Sequence, residues 1–269
     1  YLKLDTPKGR SAALTFFGVA SFLALWSLAT YSGFVEPLFL PSPTAVLRAI
    51  GNLFRDFNLL QDIWASVFRI LIGFGLSVVI AIPLGIYLGM SKAAEAFLEP
   101  IISFIRYTPI SALVPLFMLW LGIGETEKIF LIFAGVLPNL VMMIFDVVAN
   151  ARREYTEVAY SLGVGNRNIL FSVILPQSLP GIWDAMRVNI GLAWTLIILA
   201  EIIAATSGLG HVIITSQRFL QTANVMGAMF IIGTLGLFTD LLFKVSYKFL
   251  FPWMTKSHAP IIIFHCQCF

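Results

Sequence analysis

Apolar residues in this chain gather in long runs, without the strict alternation of a half-buried strand. Runs of about 20 residues are long enough to cross a hydrocarbon core of roughly 30 Å as helices. Six such spans are predicted, over about residues 12–31, 66–90, 101–121, 129–149, 187–205 and 225–243. They occupy the whole length, so the bilayer is the solvent of the fold and not a point of attachment. Pro83, Pro109, Pro115 and Pro138 fall inside these runs. Membrane helices tolerate prolines when neighbours satisfy the freed carbonyls, so kinked, closely packed helices are expected.

Between the first two spans, LPSPTAVLRAIGNLFRDF opens with two prolines and then places Val46, Leu47, Ile50, Leu53, Phe54 and Phe57 at helical spacing. That pattern predicts an amphipathic helix lying at the outer interface. Between spans four and five, Tyr155, Val158, Ala159 and Leu162 stand at i, i+3, i+4 and i+7, with Arg152, Arg153, Glu154 and Glu157 around them. One apolar stripe on a polar helix is predicted there, ended by Gly163, which accepts positive φ at low steric cost. Asn166 is placed to cap a second short helix carrying Ile169, Leu170, Val173 and Ile174, which Pro176 is expected to stop. Two readings of the stripe stand: it docks onto a partner, or it packs beneath the bundle.

Composition agrees with the pattern. The chain is 59% hydrophobic and 12% charged, against about 45–50% and about 25% in soluble domains. It carries a net charge of +3, but in membrane proteins the placement of Lys and Arg says more than their sum. With both termini cytoplasmic, the inner side holds Lys3, Lys8, Arg10, Lys92, Arg152, Arg153, Arg167, Arg187, Lys244, Lys248 and Lys256, and the outer side only Arg48, Arg55, Lys128 and Arg218. This asymmetry predicts both termini inside. Nothing points to nucleic acid. Cys266 and Cys268 lie in the last four residues, so no disulfide framework spans the body. The tail SHAPIIIFHCQCF matches no zinc spacing and reads as a frayed or artefactual terminus. The chain begins at Tyr1, which points to a missing native start, and its first run is expected to be a membrane span and not a cleaved signal. One membrane organisation is expected: a helix and outer amphipathic segment over 1–65, a core over 66–250 and a tail over 251–269.

The pattern Glu157, Val158, Ala159, three residues, Gly163, nine residues, Val173, one residue, Leu175-Pro176 resembles the cytoplasmic EAA loop of binding-protein-dependent ABC importer permeases. Val158 stands where the first Ala is usual and Val173 where Ile is usual. LPSP at 40–43, SVFRILIGF at 66–74, RYTPISALVPLFMLWLGIGE at 106–125 and GLAWTLIILAEIIAATSGLG at 191–210 are similar to the nitrate, sulfonate and taurine branch. The resemblance implies an all-α polytopic protein with six transmembrane helices and type I importer architecture in a bacterial inner membrane. It implies that Glu154, Tyr155, Glu157, Val158, Ala159, Leu162, Gly163, Val164 and Pro176 form the surface that couples to ATPases. It also implies two ABC ATPase subunits, a second permease copy and a periplasmic or lipid-anchored solute-binding protein. The solute implied is a small anion such as nitrate, sulfonate or taurine, with bicarbonate and pyrimidine-type or thiamine-precursor solutes as alternatives. No cofactor or metal is expected in this chain, which is not expected to be an enzyme. It lacks G-x-x-x-x-G-K-[ST], so ATP and Mg would sit on the separate ATPases. An ion-coupled carrier is the alternative of another class, but no inverted repeat is visible.

Ionisable residues inside spans are costly and so mark functional candidates. Glu201 lies roughly 20 Å into its span at 1.5 Å per residue, and Arg69 lies at a comparable depth. They are expected either to pair near an outer gate or separately to face water or brace packing. Trp194, Thr195 and Asn139 are candidates to line a solute path. Arg106, with Tyr107 and Thr108, is placed either to meet an anion or to snorkel to headgroups. Asp146 and Asp240 read as solvated or interfacial, and His211 as part of an outer turn beside Gly208 and Gly210.

Overall fold

The computed structural model describes residues 8–56, 58–151, 158–159 and 161–255, and no strand occurs among them. In chain order the helices are α1 (Lys8–Tyr31), α2 (Pro43–Asp56), α3 (Leu59–Met90), α4 (Lys92–Tyr107), α5 (Ile110–Leu121) and α6 (Glu125–Ala149). After the loop come α7 (Asn166–Ile169), a π turn (Leu170–Ile174), α8 (Leu175–Ala204), α9 (Leu209–Arg218), α10 (Thr222–Leu250) and α11 (Pro252–Thr255).

Among the described residues, five helices are long and apolar enough to cross a membrane: Ala13–Tyr31, Leu59–Met90, Glu125–Ala149, Leu170–Ile203 and Thr222–Leu250. They take in five of the six predicted spans, and the third falls on a pair of helices, Lys92–Tyr107 and Ile110–Leu121, that passes the same test together. The run expected at 101–121 is instead α4 and α5, bent by 94°. The cause lies at the residue before Pro109, where the proline ring disfavours helical backbone. Thr108 leaves the helix at φ −71° and ψ 126°, and its hydroxyl donates to the Phe104 carbonyl at 3.0 Å, capping α4. Pro83, Pro115 and Pro138 stay within α3, α5 and α6. At the other end of α4, Ser91 accepts the Ala94 N–H at 3.3 Å, as an N-cap does.

The chain forms two compact units. The first comprises Tyr1–Leu71, Val114–Ile129 and Leu196–Thr234. Within it α2 buries Val46, Ala49 and Leu53 and leaves Leu47 and Phe54 exposed. That is the amphipathic helix expected, although the buried stripe is narrower than the apolar spacing suggested; Phe57 lies outside the described residues. A Cβ at Gly227 of α10 would lie 3.1 Å from Ile50 and 3.6 Å from Leu53, so the absent side chain admits α2. Helix α1 is tied in through Trp26, whose indole donates to the Pro41 carbonyl at 3.1 Å and stacks on Phe230 with ring centroids 5.8 Å apart.

The second unit comprises Ile72–Leu113, Phe130–Thr195 and Leu235–Phe269. Its centre is α6, where Leu131, Ile132, Val136, Leu140 and Ile144 are fully buried. Small residues let membrane helices approach, since lipid offers no hydrophobic drive between them. A Cβ at Gly85 would stand 2.7 Å from Ile144, one at Gly89 2.6 Å from Val148, and one at Gly181 2.7 Å from Val147. Arg187, expected in a connection, lies within α8. It bonds Asp240, which Lys244 also meets at 2.6 Å; the Asp240 side chain stays 30% exposed, in keeping with the solvated or interfacial reading. Asp146 is exposed, as read.

These contacts predict opposite outcomes for two glycines on one helix. Gly75→Ala meets open space and is expected to be neutral or stabilising by up to about 1 kcal/mol. Gly85→Ala is expected to destabilise by about 1–3 kcal/mol through overpacking. Thermal unfolding of the purified protein in detergent reads the difference.

Candidate functional site

Two places concentrate the polar and irregular features of the chain. In the loop between α6 and α8, Val158, Ala159 and Ser161 are helical, and the helix ends where Gly163 adopts φ 73°. Leu162 N–H reaches the Val158 carbonyl, and Val164 N–H the Ala159 carbonyl, both at 3.1 Å. The second bond closes a Schellman cap, which requires a left-handed residue at the position Gly163 holds. Ala159 is buried, whereas Val158 is 57% and Leu162 76% exposed. Glu154, Tyr155 and Glu157 lie outside the described residues.

Beyond the corner the structure departs from expectation twice. Asn166 is the first residue of α7 and not its cap; the Gly165 carbonyl accepts the Ile169 N–H at 3.0 Å. Pro176 does not stop the helix. Residues 170–174 form a π turn, closed from the Leu175 N–H to the Leu170 carbonyl, and α8 continues through Pro176 to Ala204. A proline lacks its donor and crowds the carbonyl four residues back, and the wider turn directly before Pro176 accommodates it. Ile169 is buried and Phe171 exposed on this rod.

The second place lies in the first unit, around Arg69. Its guanidinium forks onto Glu125 through Nε and Nη2. Nη1 donates to Glu201 Oε1 at 2.6 Å and to the Ser207 carbonyl at 2.9 Å, and Nη2 donates to the Ser207 hydroxyl at 2.8 Å. A guanidinium has five N–H groups, so each has an acceptor. The side chains of Arg69 and Glu201 are 2% and 0% exposed, and that of Glu125 is 56% exposed. Lys128 Nζ completes the charge balance at 3.1 Å from Glu125.

Glu201 is equally enclosed. It accepts from the Ser66 hydroxyl at 2.8 and 2.9 Å and from the Gly210 N–H at 2.8 Å. Leu209 N–H donates to Ser66 Oγ at 3.0 Å, and Gly208 N–H to Asp62 Oδ1 at 2.7 Å. Both glycines are required here. Gly208 stands at φ 111° with the Glu201 carboxylate where a Cβ would go, and a Cβ at Gly210 would lie 2.6 Å from Glu201 Cβ. His211, read as part of a turn, sits inside α9.

The other residues proposed for a pathway do not come together among the described contacts. Arg106 lies with its guanidinium carbon 5.1 Å from the Tyr107 ring centroid, and Nη2 reaches the Tyr107 hydroxyl at 3.2 Å. Thr108 caps α4. Asn139 donates to the Gly135 carbonyl of its own helix at 3.1 Å, and Thr195 to Gly191 at 3.4 Å. Trp194 is buried, with its indole N–H 3.3 Å from Thr239 Oγ1. Glu125, Ser66, Ser207 and Asp62 were missed. Glu125 begins α6, where a carboxylate is ordinary because it complements the helix dipole. Glu127, also in that first turn, is fully buried with neither oxygen hydrogen-bonded among the described residues.

Comparison with known proteins reaches most of the chain. Residues 81–256 match the family described as binding-protein-dependent transport system inner membrane component. The chain is 33% identical over 257 residues to the taurine transport system permease protein TauC of Escherichia coli, covering 94% of each. It is 29% identical over 238 residues to the bicarbonate transport system permease protein CmpB of a Synechocystis species, covering 83% of each. Among solved structures, the inward-facing MetNI methionine ABC transporter aligns with a TM-score of 0.64 at 18% identity, over 71% of this chain and 94% of that one.

Arg69→Ala and Glu201→Ala are each expected to cost about 3–5 kcal/mol, because each strands a buried charge. The double variant is expected to cost clearly less than the sum, which a double-mutant cycle in detergent unfolding measures. Exchanging the two charges is not expected to restore stability, since Ser66 and the Gly210 N–H would then donate toward a guanidinium.

Proposed function

Because the chain belongs to the binding-protein-dependent transport system inner membrane component family, we propose that it is the permease subunit of an ATP-driven importer, with the glycine corner at Gly163 as its docking surface for an ATPase. As a transport component it is not an enzyme. Two copies would enclose the pathway, two ATPase subunits holding ATP and Mg would seat on the corners, and a solute-binding protein would deliver the solute from outside. With the termini cytoplasmic, as the basic-residue asymmetry supports, the corner faces the ATPases. The observation that carries this reading is a backbone-fixed corner with Val158 and Leu162 left exposed beside it.

ATP-driven closure of the ATPase pair would draw the two corners together. A rod that runs without interruption from Asn166 through the π turn into α8 transmits that displacement directly into a membrane span, where a loop ending at Pro176 would absorb it. The switch between inward and outward states is then a population shift driven by nucleotide. The resemblance to a taurine transport permease supports a small sulfonate-type solute. We read the Arg69 network as a fixed brace at the outer end of the spans. With all five N–H groups already accepted, Arg69 has none left for a solute.

Gly163→Val tests the corner cleanly, because nothing lies within 4 Å of its Cβ position and the penalty is the positive φ alone. Co-purification with the ATPase and ATP-dependent uptake are expected to fall at least tenfold, while Gly165→Ala, also facing open space, leaves both unchanged. Normal association and uptake in Gly163→Val would count against the docking role. Purification of the native protein without any nucleotide-binding chain would favour an ion-coupled carrier.

A further inference from the structure

Two arginines differ in how their donors are met. Arg69 has all five answered within the chain, whereas Arg187, in the second unit, donates only through Nε, to Asp240 Oδ1. Its Nη1 stands 3.7 Å from Asp184 Oδ1, too far for a hydrogen bond, and among the described residues neither terminal nitrogen has an acceptor. Lys244 Nζ meets Asp240 Oδ2 at 2.6 Å and so spends one of its three donors. Lys248, one turn further along α10, is exposed and has no ion pair among the described residues. Two carboxylates stand among these cations. Asp240 has both oxygens taken, and the half-exposed Asp184 has only the 3.7 Å contact. Three cations against two acids leave a net positive charge, with most of the N–H donors open.

Placement gives the open donors a partner to meet. Counted from Thr222, a rise of 1.5 Å per residue sets Asp240 about 27 Å, Lys244 about 33 Å and Lys248 about 39 Å along α10. The cations therefore straddle the edge of a hydrocarbon core roughly 30 Å thick, at the end of the spans that the basic-residue asymmetry places inside. The same side of α10 shows Leu237, Leu241 and Val245, spaced i, i+4 and i+8 and each at least half exposed. An acyl chain lying on them would end at Lys244 and Lys248. Aromatic rings hold the groove together. The Trp183 indole donates to the Phe243 carbonyl at 3.1 Å, with ring centroids 5.2 Å apart, and so keeps α8 against α10 where Arg187 meets Asp240. Buried Phe251 packs on both Trp183 and Tyr247, at 6.5 and 5.1 Å between centroids. Trp253, 5.5 Å from Phe251 and exposed, is the kind of ring that sits at headgroup level.

We propose that the groove between α8 and α10 binds the headgroup phosphate of an anionic phospholipid, with Lys244, Lys248 and the free Nη groups of Arg187 as its donors. Guanidinium and ammonium groups make strong, charge-assisted hydrogen bonds to phosphate, and basic pockets between spans on the cytoplasmic side hold lipid headgroups. Free phosphate has the same chemistry at the cations but leaves the apolar stripe beside them unused, whereas a lipid engages both. Asp184 opposes the anion, so removing its charge tightens the site. The proposal is independent of the importer reading, since it needs neither an ATPase nor a solute.

Native mass spectrometry of the intact protein, with any subunits that co-purify, tests this using phosphatidylglycerol and phosphatidylcholine of identical acyl chains. Phosphatidylglycerol is expected to be retained about fivefold more tightly, the worth of roughly one basic residue at an anionic surface. Lys248→Gln is expected to remove most of that preference, and Lys248→Arg to keep it. Asp184→Asn is expected to strengthen phosphatidylglycerol about twofold. Lys92→Gln, at the exposed start of α4 on the same side of the membrane, is expected to change nothing. Lys248 and Lys92 are both exposed, so neither substitution is expected to disturb folding, which melting in detergent checks. Equal retention of the two lipids overturns the proposal, and so does a loss in Lys92→Gln as large as that in Lys248→Gln, which would mean diffuse attraction to a basic surface. Displacement of phosphatidylglycerol by millimolar inorganic phosphate would give the site to the free anion and overturn the lipid assignment.

Discussion

A guanidinium inside a membrane protein must have every donor answered or it will not stay there. Arg69 meets this condition with five acceptors from two carboxylates and Ser207. Charges at bilayer depth cost several kcal/mol when isolated, so the fork draws α3, the start of α6, the end of α8 and the following turn to one point. The same constraint dictates the sequence around that turn. Glu201 can be enclosed only if the backbone at Gly208 and Gly210 comes closer than a Cβ allows. The run EIIAATSGLG is therefore one device: a carboxylate, and a turn folded back to hydrogen-bond it.

This brace separates two roles that a buried ion pair could otherwise share. A gate needs contacts that open at modest cost, and a solute site needs donors left over. In the Arg69 fork all five N–H groups have acceptors, an arrangement suited to a brace. At the other functional place the logic is conformational. The corner at Gly163 is fixed by a left-handed residue and a Schellman bond, and the rod after it is continuous with a membrane span. A rigid corner on a rigid rod suits transmission of force.

How much of this was legible beforehand depended on the range of the physics involved. The spans were legible because hydropathy is additive along the chain. Gly163 was legible because an apolar stripe ending at glycine is a local signal. Arg69 and Glu201 were legible as costly charges, and depth alone brought them to the same level. Glu125 was not, since a carboxylate at a helix start needs no explanation and its distance from Arg69 in sequence conceals the contact. Proline misled twice in opposite directions. Pro109 was read as tolerated within a span and instead breaks it, because Thr108 supplies a cap that makes the break favourable. Pro176 was read as a stop and is instead absorbed by a π turn. Whether a proline ends a helix depends on which backbone groups nearby find partners, and composition does not reveal that. Arg106, Asn139, Trp194 and Thr195 were grouped by polarity, yet Arg106, Asn139 and Thr195 bond within their own helices and Trp194 bonds Thr239 of α10.

The claim on which the account rests is that the exposed side of the glycine corner touches a nucleotide-hydrolysing neighbour. Photocrosslinking from a photoreactive amino acid placed at position 162, in membranes from cells making the whole transporter, tests it most directly. The account predicts a covalent adduct between this chain and its ATPase subunit, with a yield that changes with nucleotide. Adducts only with lipid, or with a protein on the opposite face of the membrane, would contradict it.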